Sequence, residues 1–198
     1  MIDKPTQRQQ IRQQRRLLSA AEQHQAALAL ATRLAKQPFY QRAETIAAYL
    51  PNDGEINPLP LLHHAQRLGK SIYLPVLKGS MLQFARYRPG LTPLHCNRLG
   101  IFEPYPQARQ WIEPTRLELV LLPLVAFDAD GNRLGMGGGF YDRSFAFKKS
   151  LPPVARPILV GIAHHLQKVS RLTVDHWDIP VDTIATDRAL YPVRGSRR

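Results

Sequence analysis

Apolar and polar positions along this 198-residue chain switch between helical and strand periods. Residues 4–17 are strongly polar and helix-forming, and Lys4, Arg8 and Arg12 fall four apart on one helical face. Ser19 precedes Glu22 by three residues, a capping box that opens a second predicted helix running to about Lys36. Ala27, Leu30, Ala31 and Leu34 form its apolar stripe, and Pro38 is expected to end it. Residues 45–50 read as a short apolar strand and Pro-Asn-Asp-Gly at 51–54 as a turn. A helix over 58–68 is bracketed by Pro58 near its start and Gly69 beyond its end. A strand over 71–75 follows. This β-α-β order predicts a parallel pair.

Further on, residues 83–87 suit an edge strand, and 89–116, rich in proline and polar groups, read as a long irregular connection. Residues 117–127 carry the strongest strand signal: a near-continuous apolar run, as in a sheet covered on both faces. A helix is expected over 141–147, a buried strand over 158–163 and a last short strand over 183–185. No internal repeat or linker divides the chain. The expectation is one α/β domain over 1–198: a Rossmann-like three-layer fold with a largely parallel central sheet. Residues 1–36 would supply the N-terminal helices and 190–198 a frayed tail.

Composition narrows the class of protein. The hydrophobic fraction of 44% and charged fraction of 21% are ordinary for a soluble globular chain. The single cysteine, Cys96, cannot form an intramolecular disulfide, which favours a reducing compartment and a cytoplasmic location. Met1-Ile-Asp-Lys-Pro has no apolar core of a signal peptide, and no apolar run approaches the roughly 18 residues that span a bilayer. No membrane partner is expected. The net charge of +12 draws anions: nucleic acid, acidic membranes or multiply charged small substrates. A nucleic-acid module would interleave its basic residues with exposed aromatics, and at 8% aromatic content the chain is not expected to be one.

The chemistry concentrates in 127–143, Phe-Asp-Ala-Asp-Gly-Asn-Arg-Leu-Gly-Met-Gly-Gly-Gly-Phe-Tyr-Asp-Arg, placed after the strongest strand and before a helix. Ligands of open α/β sheets bind at the carboxyl ends of strands. Gly135, Gly137, Gly138 and Gly139 carry no Cβ, so backbone N–H groups can approach an anion. The helix N-terminus adds partial positive charge, and Arg133 and Arg143 add full charges. The loop matches neither named phosphate fingerprint. No Lys-Ser or Lys-Thr follows the glycines, and the last glycine of G-x-G-x-x-G falls on Phe140. Asp128 to Asn132 lacks the glycine and glutamate positions of a calcium loop and reads as a plain turn. Asp142 admits two readings, a Mg²⁺ ligand beside bound phosphates or a first-turn helix acid. Lys4 and Arg8 suit either a solvated basic face or a reach over phosphates. Glu55 lies at the same sheet edge as the loop if the strands are parallel. The pairs His63-His64 and His164-His165 lack metal-ligand spacing.

Taken together, these residues resemble the 5-formyltetrahydrofolate cyclo-ligase family over nearly the whole chain, to about Asp187. The most specific element is Gly131 to Arg143. Lys4-x-x-x-Arg8, Leu-Pro-Asn-Asp-Gly-Glu at 50–55, the strand at 69–75, Gly-Ile-Phe-Glu-Pro at 100–104 and Trp-Asp-Ile-Pro-Val-Asp at 177–182 support it. The resemblance implies ATP-dependent cyclisation of 5-formyltetrahydrofolate to 5,10-methenyltetrahydrofolate, with Mg²⁺, in a cytoplasmic and often monomeric enzyme. By the resemblance, Lys4, Arg8, Arg133, Leu134, Gly135, Met136, Gly137, Gly138, Gly139, Phe140 and Tyr141 would contact ATP, with Arg133 also catalytic. Leu50, Glu55, Met136, Gly137, Gly138, Gly139 and Phe140 would contact the folate, and Asp142 and Asp182 would hold Mg²⁺. Many relatives carry a lysine where this chain has Gly138. Arg133, Arg143 or the basic N-terminal helix would then take over that charge.

Overall fold

The structure, a computed structural model, describes residues 3–105, 110–152 and 155–193. The chain opens with α1 (Lys4–Arg16), α2 (Ala20–Ala35) and α3 (Pro38–Arg42). The expected capping box on α2 is present, with Ser19 and Glu22 satisfying each other's backbone N–H groups. Such a cap is worth about 1 kcal/mol. Pro38 does more than close α2. Its fixed φ and missing N–H suit the first turn of a helix, and it starts α3.

The strand β1 (Thr45–Ala47), helix α4 (Leu59–Arg67) and strand β2 (Ser71–Lys78) form the expected β-α-β unit, with β1 and β2 parallel. The strand β2 runs three residues past Pro75 and turns back into β3 (Met81–Tyr87), its antiparallel partner from Lys78↔Met81 to Ile72↔Tyr87. The segment read as irregular holds β4 (Leu94–Cys96), β5 (Phe102–Pro104) and β6 (Trp111–Ile112). The two-residue β6 pairs with β3, so β3 lies inside the sheet instead of at its edge.

Next come β7 (Leu119–Pro123), β8 (Ala126–Phe127) and β9 (Arg133–Leu134), followed by α5 (Phe140–Ser144). The single strand expected over 117–127 is divided. Pro123, paired opposite Ile162, has no N–H to continue a ladder, and β7 ends there. The rest of the apolar run enters a separate two-stranded ribbon, β8 against β9. The helix α5 has only five residues, and a 3-10 turn at Ala146–Ser150 replaces the rest of the expected helix. Last come β10 (Ile158–Ala163), β11 (Thr183–Thr186) and β12 (Leu190–Pro192). Antiparallel pairing of β12 with β11 makes 190–192 sheet and not frayed tail. Residues 194–198, the remainder of that expected tail, lie outside the described residues.

The central sheet has eight strands in the order β12-β11-β10-β7-β1-β2-β3-β6. Its middle is parallel, as expected, and antiparallel pairs flank it on both sides. Alternate residues of β7 explain the continuous apolar run. Leu119 and Leu121 pack with α2 and α4, through Leu30, Leu34, Leu61 and Leu62. Val120 and Leu122 pack on the other face with Phe84, Phe145, Ile179 and Val181. A third, smaller cluster joins Ile11 of α1 to Val125, Ala126, Leu134 and Leu172, which lays α1 along the carboxyl edge of the sheet.

Candidate functional site

Three segments meet at that carboxyl edge: the turn after β1, the glycine loop after β9, and α1 across both. The turn is built around Asp53. Asp53 and Gly54 have φ of 52° and 73°, left-handed values that glycine tolerates and aspartate adopts more readily than most residues. Arg12 Nε donates to Asp53 Oδ2 at 2.6 Å, and Arg15 donates to Asp53 O at 2.7 Å and to Oδ2 at 2.8 Å. Arg16 also pairs with Asp53. Burial opposes ionisation of Asp53, but the three guanidinium groups outweigh it and hold the carboxyl below its usual range. Arg15 is completely buried, and its Nη1 has no hydrogen-bond partner among the described residues. These arginines sit at i, i+3 and i+4, so extending the Lys4-Arg8-Arg12 face by one turn would have singled them out.

Glu55 ends the turn. Its Oε2 accepts from Asn52 N at 3.1 Å, and its Oε1 stands 4.0 Å from Arg15 Nη2. Burial raises its pKa to about 7; the Arg15 charge pulls the other way and the Asp53 charge adds to the rise. The phenols of Tyr49 and Tyr141 are both pushed well up, first by burial and then by the Glu55 charge. Tyr141 also feels Arg133, which brings the turn and the far end of the glycine loop into one electrostatic neighbourhood. Leu50 packs half-buried against the core beneath.

The loop does not follow the central strand directly, as expected, but leaves the β8–β9 ribbon. Asp128 anchors that ribbon's turn. Its buried carboxylate accepts from the backbone N–H of Asp130, Asn132 and Leu172 and from the Asn132 amide. Among the described residues its bonds are all to protein N–H groups, in keeping with the plain-turn reading.

Leu134 commits its side chain to the core, so only its backbone faces the loop. Met136, Gly137 and Gly138 are exposed. Gly137 and Gly139 have φ of 100° and 63°, values closed to most side chains. Arg8 Nε donates to Gly135 O at 2.8 Å, and the rest of its guanidinium covers Gly137. Arg143 donates from Nη2 to Gly138 O at 2.6 Å. Two loop carbonyls are thus taken up by guanidinium groups. Among the described residues, no hydrogen bond uses the amide N–H groups of 136–140. A Cβ at Gly138 would fall 2.7 Å from the Phe140 ring, so a side chain there requires the ring to move. The helix dipole expected behind the loop is weak, because α5 is so short.

Several expected contact residues are already paired. Arg133 Nη2 donates to Asp142 Oδ1 at 2.6 Å; the pair is mostly buried, and Arg133 Nε has no hydrogen-bond partner among the described residues. The same Asp142 oxygen accepts from Ile179 N at 3.0 Å. Lys4 bonds Asp175 at 2.6 Å and lies 3.8 Å from Asp178. Asp182 precedes β11, at the amino edge of the sheet. Its Oδ2 accepts from Leu159 N at 2.7 Å and lies 3.4 Å from Lys148 Nζ. Burial raises its pKa against both of those partners. No hydrogen bond or ion pair among the described residues joins Asp182 to Asp142. Nor could any group of three or more His, Cys, Asp or Glu residues there hold a metal ion. The edge therefore offers a turn with one carboxyl whose pKa is raised by burial, beside an exposed loop of N–H groups unpaired among the described residues, with cations in attendance. It can hold a flat polar ring at the first and a polyanion at the second.

Known proteins resemble this chain in sequence and fold. Residues 1–187 match the model of the 5-formyltetrahydrofolate cyclo-ligase family. The chain is 41% identical over 187 residues to 5-formyltetrahydrofolate cyclo-ligase of Escherichia coli strain K12, covering 91% of this chain and 98% of that protein. It is 39% identical over 179 residues to the enzyme of Haemophilus influenzae, covering 88% and 92%. The solution structure of Aquifex aeolicus 5,10-methenyltetrahydrofolate synthetase superposes with a TM-score of 0.82 at 29% identity, over 98% of this chain and 95% of that one. On this evidence the chain belongs to the 5-formyltetrahydrofolate cyclo-ligase family.

Proposed function

We propose that the chain cyclises 5-formyltetrahydrofolate to 5,10-methenyltetrahydrofolate at this edge, with ATP going to ADP and phosphate. The supporting observation is the juxtaposition of the partly buried Glu55 turn with a loop whose free amides and guanidinium groups suit a triphosphate. The formamide oxygen on N5 is a poor leaving group. Transfer of the γ-phosphoryl group forms an O–P bond there and breaks the bridging P–O bond, whose electrons leave with ADP. N10 then attacks the formyl carbon and loses its proton. The C–O bond breaks, phosphate departs and the methenyl bridge remains.

The protein's part is positioning and charge stabilisation, as in other phosphoryl transfers. Glu55, ionised, accepts from pterin N–H groups. The amides of 136–140 face the phosphates, with Arg8 beside them. Arg133 acts on the reacting groups through Asp142 and Tyr141 unless its ion pair opens. Leu50, Met136 and Phe140 supply apolar contact to the folate, and Lys4 reaches the nucleotide by exchanging its carboxylates. Both bonds to Asp142 end on Oδ1, which leaves Oδ2 for Mg²⁺; one carboxylate plus substrate phosphates is a common way to hold that ion. Bound there, Mg²⁺ would neutralise phosphate charge. Asp182 enters this set only if Lys148 releases it. No helix among the described residues is long and apolar enough to cross a membrane. A cytoplasmic monomer acting on small-molecule substrates is the reading that goes with this function.

The test is spectrophotometric. Purified protein with 5-formyltetrahydrofolate and MgATP should produce the methenyl absorbance only when ATP is present. Hydrolysis of ATP without that chromophore would replace this reading with a small kinase or ATPase built on the same loop.

A further inference from the structure

Most cations around the glycine loop are already neutralised. Arg133 is paired with Asp142, and Lys4 with Asp175 and Asp178. Arg12, Arg15 and Arg16 converge on Asp53. Among the described residues, the two guanidinium groups against the loop that meet no carboxylate are those of Arg8 and Arg143. Both are held by carbonyl oxygens, which orient a guanidinium without cancelling its charge. The resemblance already described makes Arg8 an ATP contact; it names Arg143 only as one of three candidates for the charge missing at Gly138.

Arg143 is fixed from three sides. Its Nε donates to Ser80 O at the tip of the β2–β3 hairpin, at 2.6 Å, and its Nη2 to Gly138 O at 2.6 Å. The guanidinium lies 5.3 Å from the centre of the Phe140 ring. A Cβ on Gly139 would fall 2.6 Å from Arg143 Nη1, so that nitrogen rests directly on the loop backbone. The residue is exposed, and these bonds leave Nη1 and the second Nη2 hydrogen as donors. An exposed, carbonyl-held fork beside free amides is suited to phosphate.

We infer that Arg143 is a phosphate-binding residue, whose guanidinium meets the terminal phosphates of the nucleotide at Gly138 and Gly139 while Arg8 meets them at Gly135 and Gly137. This rests on the nucleotide reading above and deepens it. It supplies, from α5, a cation for the loop, whose own residues 134–142 include no lysine or arginine. The competing role is mechanical: Arg143 would only pin the hairpin to the loop.

Binding of ATP and of AMP to the full chain, measured by calorimetry, separates the two roles. The variants are Arg143→Ala and Arg143→Gln, the second keeping an amide donor for Gly138 O without the charge. Loss of one charge-assisted contact should weaken ATP binding about 10- to 100-fold in both variants. AMP, which lacks the outer phosphates, should bind within about twofold of wild type. ATP binding left unchanged in both variants overturns the inference. So does equal weakening of ATP and AMP, or full recovery in Arg143→Gln, the signatures of a mechanical tie. If wild-type protein makes no methenyl product, the reaction itself is misassigned. If it turns over normally and only the ATP-to-AMP ratio fails to move, Arg143 alone is.

Discussion

The turn at 51–55 and the loop at 135–139 are alike in outline and opposite in electrostatics. Each follows a strand at the carboxyl edge, each carries left-handed residues, and each is held from α1, the turn by Arg12, Arg15 and Arg16 and the loop by Arg8. In the turn the arginines meet Asp53, so the charges are spent within the protein and the geometry is set before any ligand arrives. Against the loop, Arg8 and Arg143 meet only carbonyl oxygens, so positive charge stays available to an anion. The turn is thus suited to recognising a neutral polar ring by shape and hydrogen bonds. The loop is suited to a ligand that brings its own negative charge. The contrast shows that basic residues on one helix can be neutralised at one end and left uncancelled at the other, according to what faces them.

The largest expected effect would break the turn. Asp53→Ala leaves Arg15 buried without its carboxylate, and breaking such a pair costs about 3–5 kcal/mol. Urea unfolding should show that loss; a change under about 1 kcal/mol would mean that the arginines are not what holds the turn. Next is Glu55→Gln, which should lower kcat/KM for the folate by about 100-fold, the scale of one or two charged hydrogen bonds, and leave ATP affinity unchanged.

The same variant tests the sign of the Glu55 titration. With its pKa raised to about 7, Glu55 ionises only as pH rises through that value, so folate kcat/KM should climb there in wild type. The pH step should vanish in the Gln variant. Stability runs the other way. A carboxyl that holds its proton more tightly when folded contributes fully below its ordinary 4.5 and loses that contribution as pH rises to about 7. Thermal midpoints measured across that window should fall more in wild type than in Glu55→Gln.

Smaller effects sharpen the loop side. Gly137→Ala forces a Cβ into φ 100° at a cost of about 1 kcal/mol. It should raise KM for ATP about fivefold, scaled from that strain, and spare the folate. A fully functional variant would show that the loop backbone need not be this shape. The smallest effect is salt. Between about 0.05 and 0.3 M, screening should weaken ATP binding several-fold, but hardly alter binding of a monoglutamyl folate at the turn. Equal salt sensitivity of both substrates would erase the distinction.

Much of the scaffold was legible because it is local. The Ser19–Glu22 cap, the Pro58 and Gly69 limits of α4, and β10 each depend on residues within a few positions, and the structure reproduces them. The strand over 117–127 was misread because apolarity does not reveal a partner. Only the pairing of β7 with β10 shows where Pro123 interrupts the ladder, and only the ribbon shows where the remaining apolar residues go. The short β6 and β12 were invisible for the same reason: two or three residues become strand by having an edge to pair with. The glycine loop was legible as a phosphate candidate, since glycines beside basic residues are a statement about backbone access.

What the loop's neighbours do was not legible. Whether an arginine or lysine is free for a ligand depends on which carboxylate lies within 4 Å, and those carboxylates stand far off in the chain: Asp53 for Arg15, Asp175 for Lys4. Local order therefore determined the helices, the parallel core and the presence of a glycine loop among basic residues, because propensity, capping and hydrophobic period act over a few residues. Tertiary contact decided which charges were cancelled and which remained, because electrostatic pairing depends on distance in space.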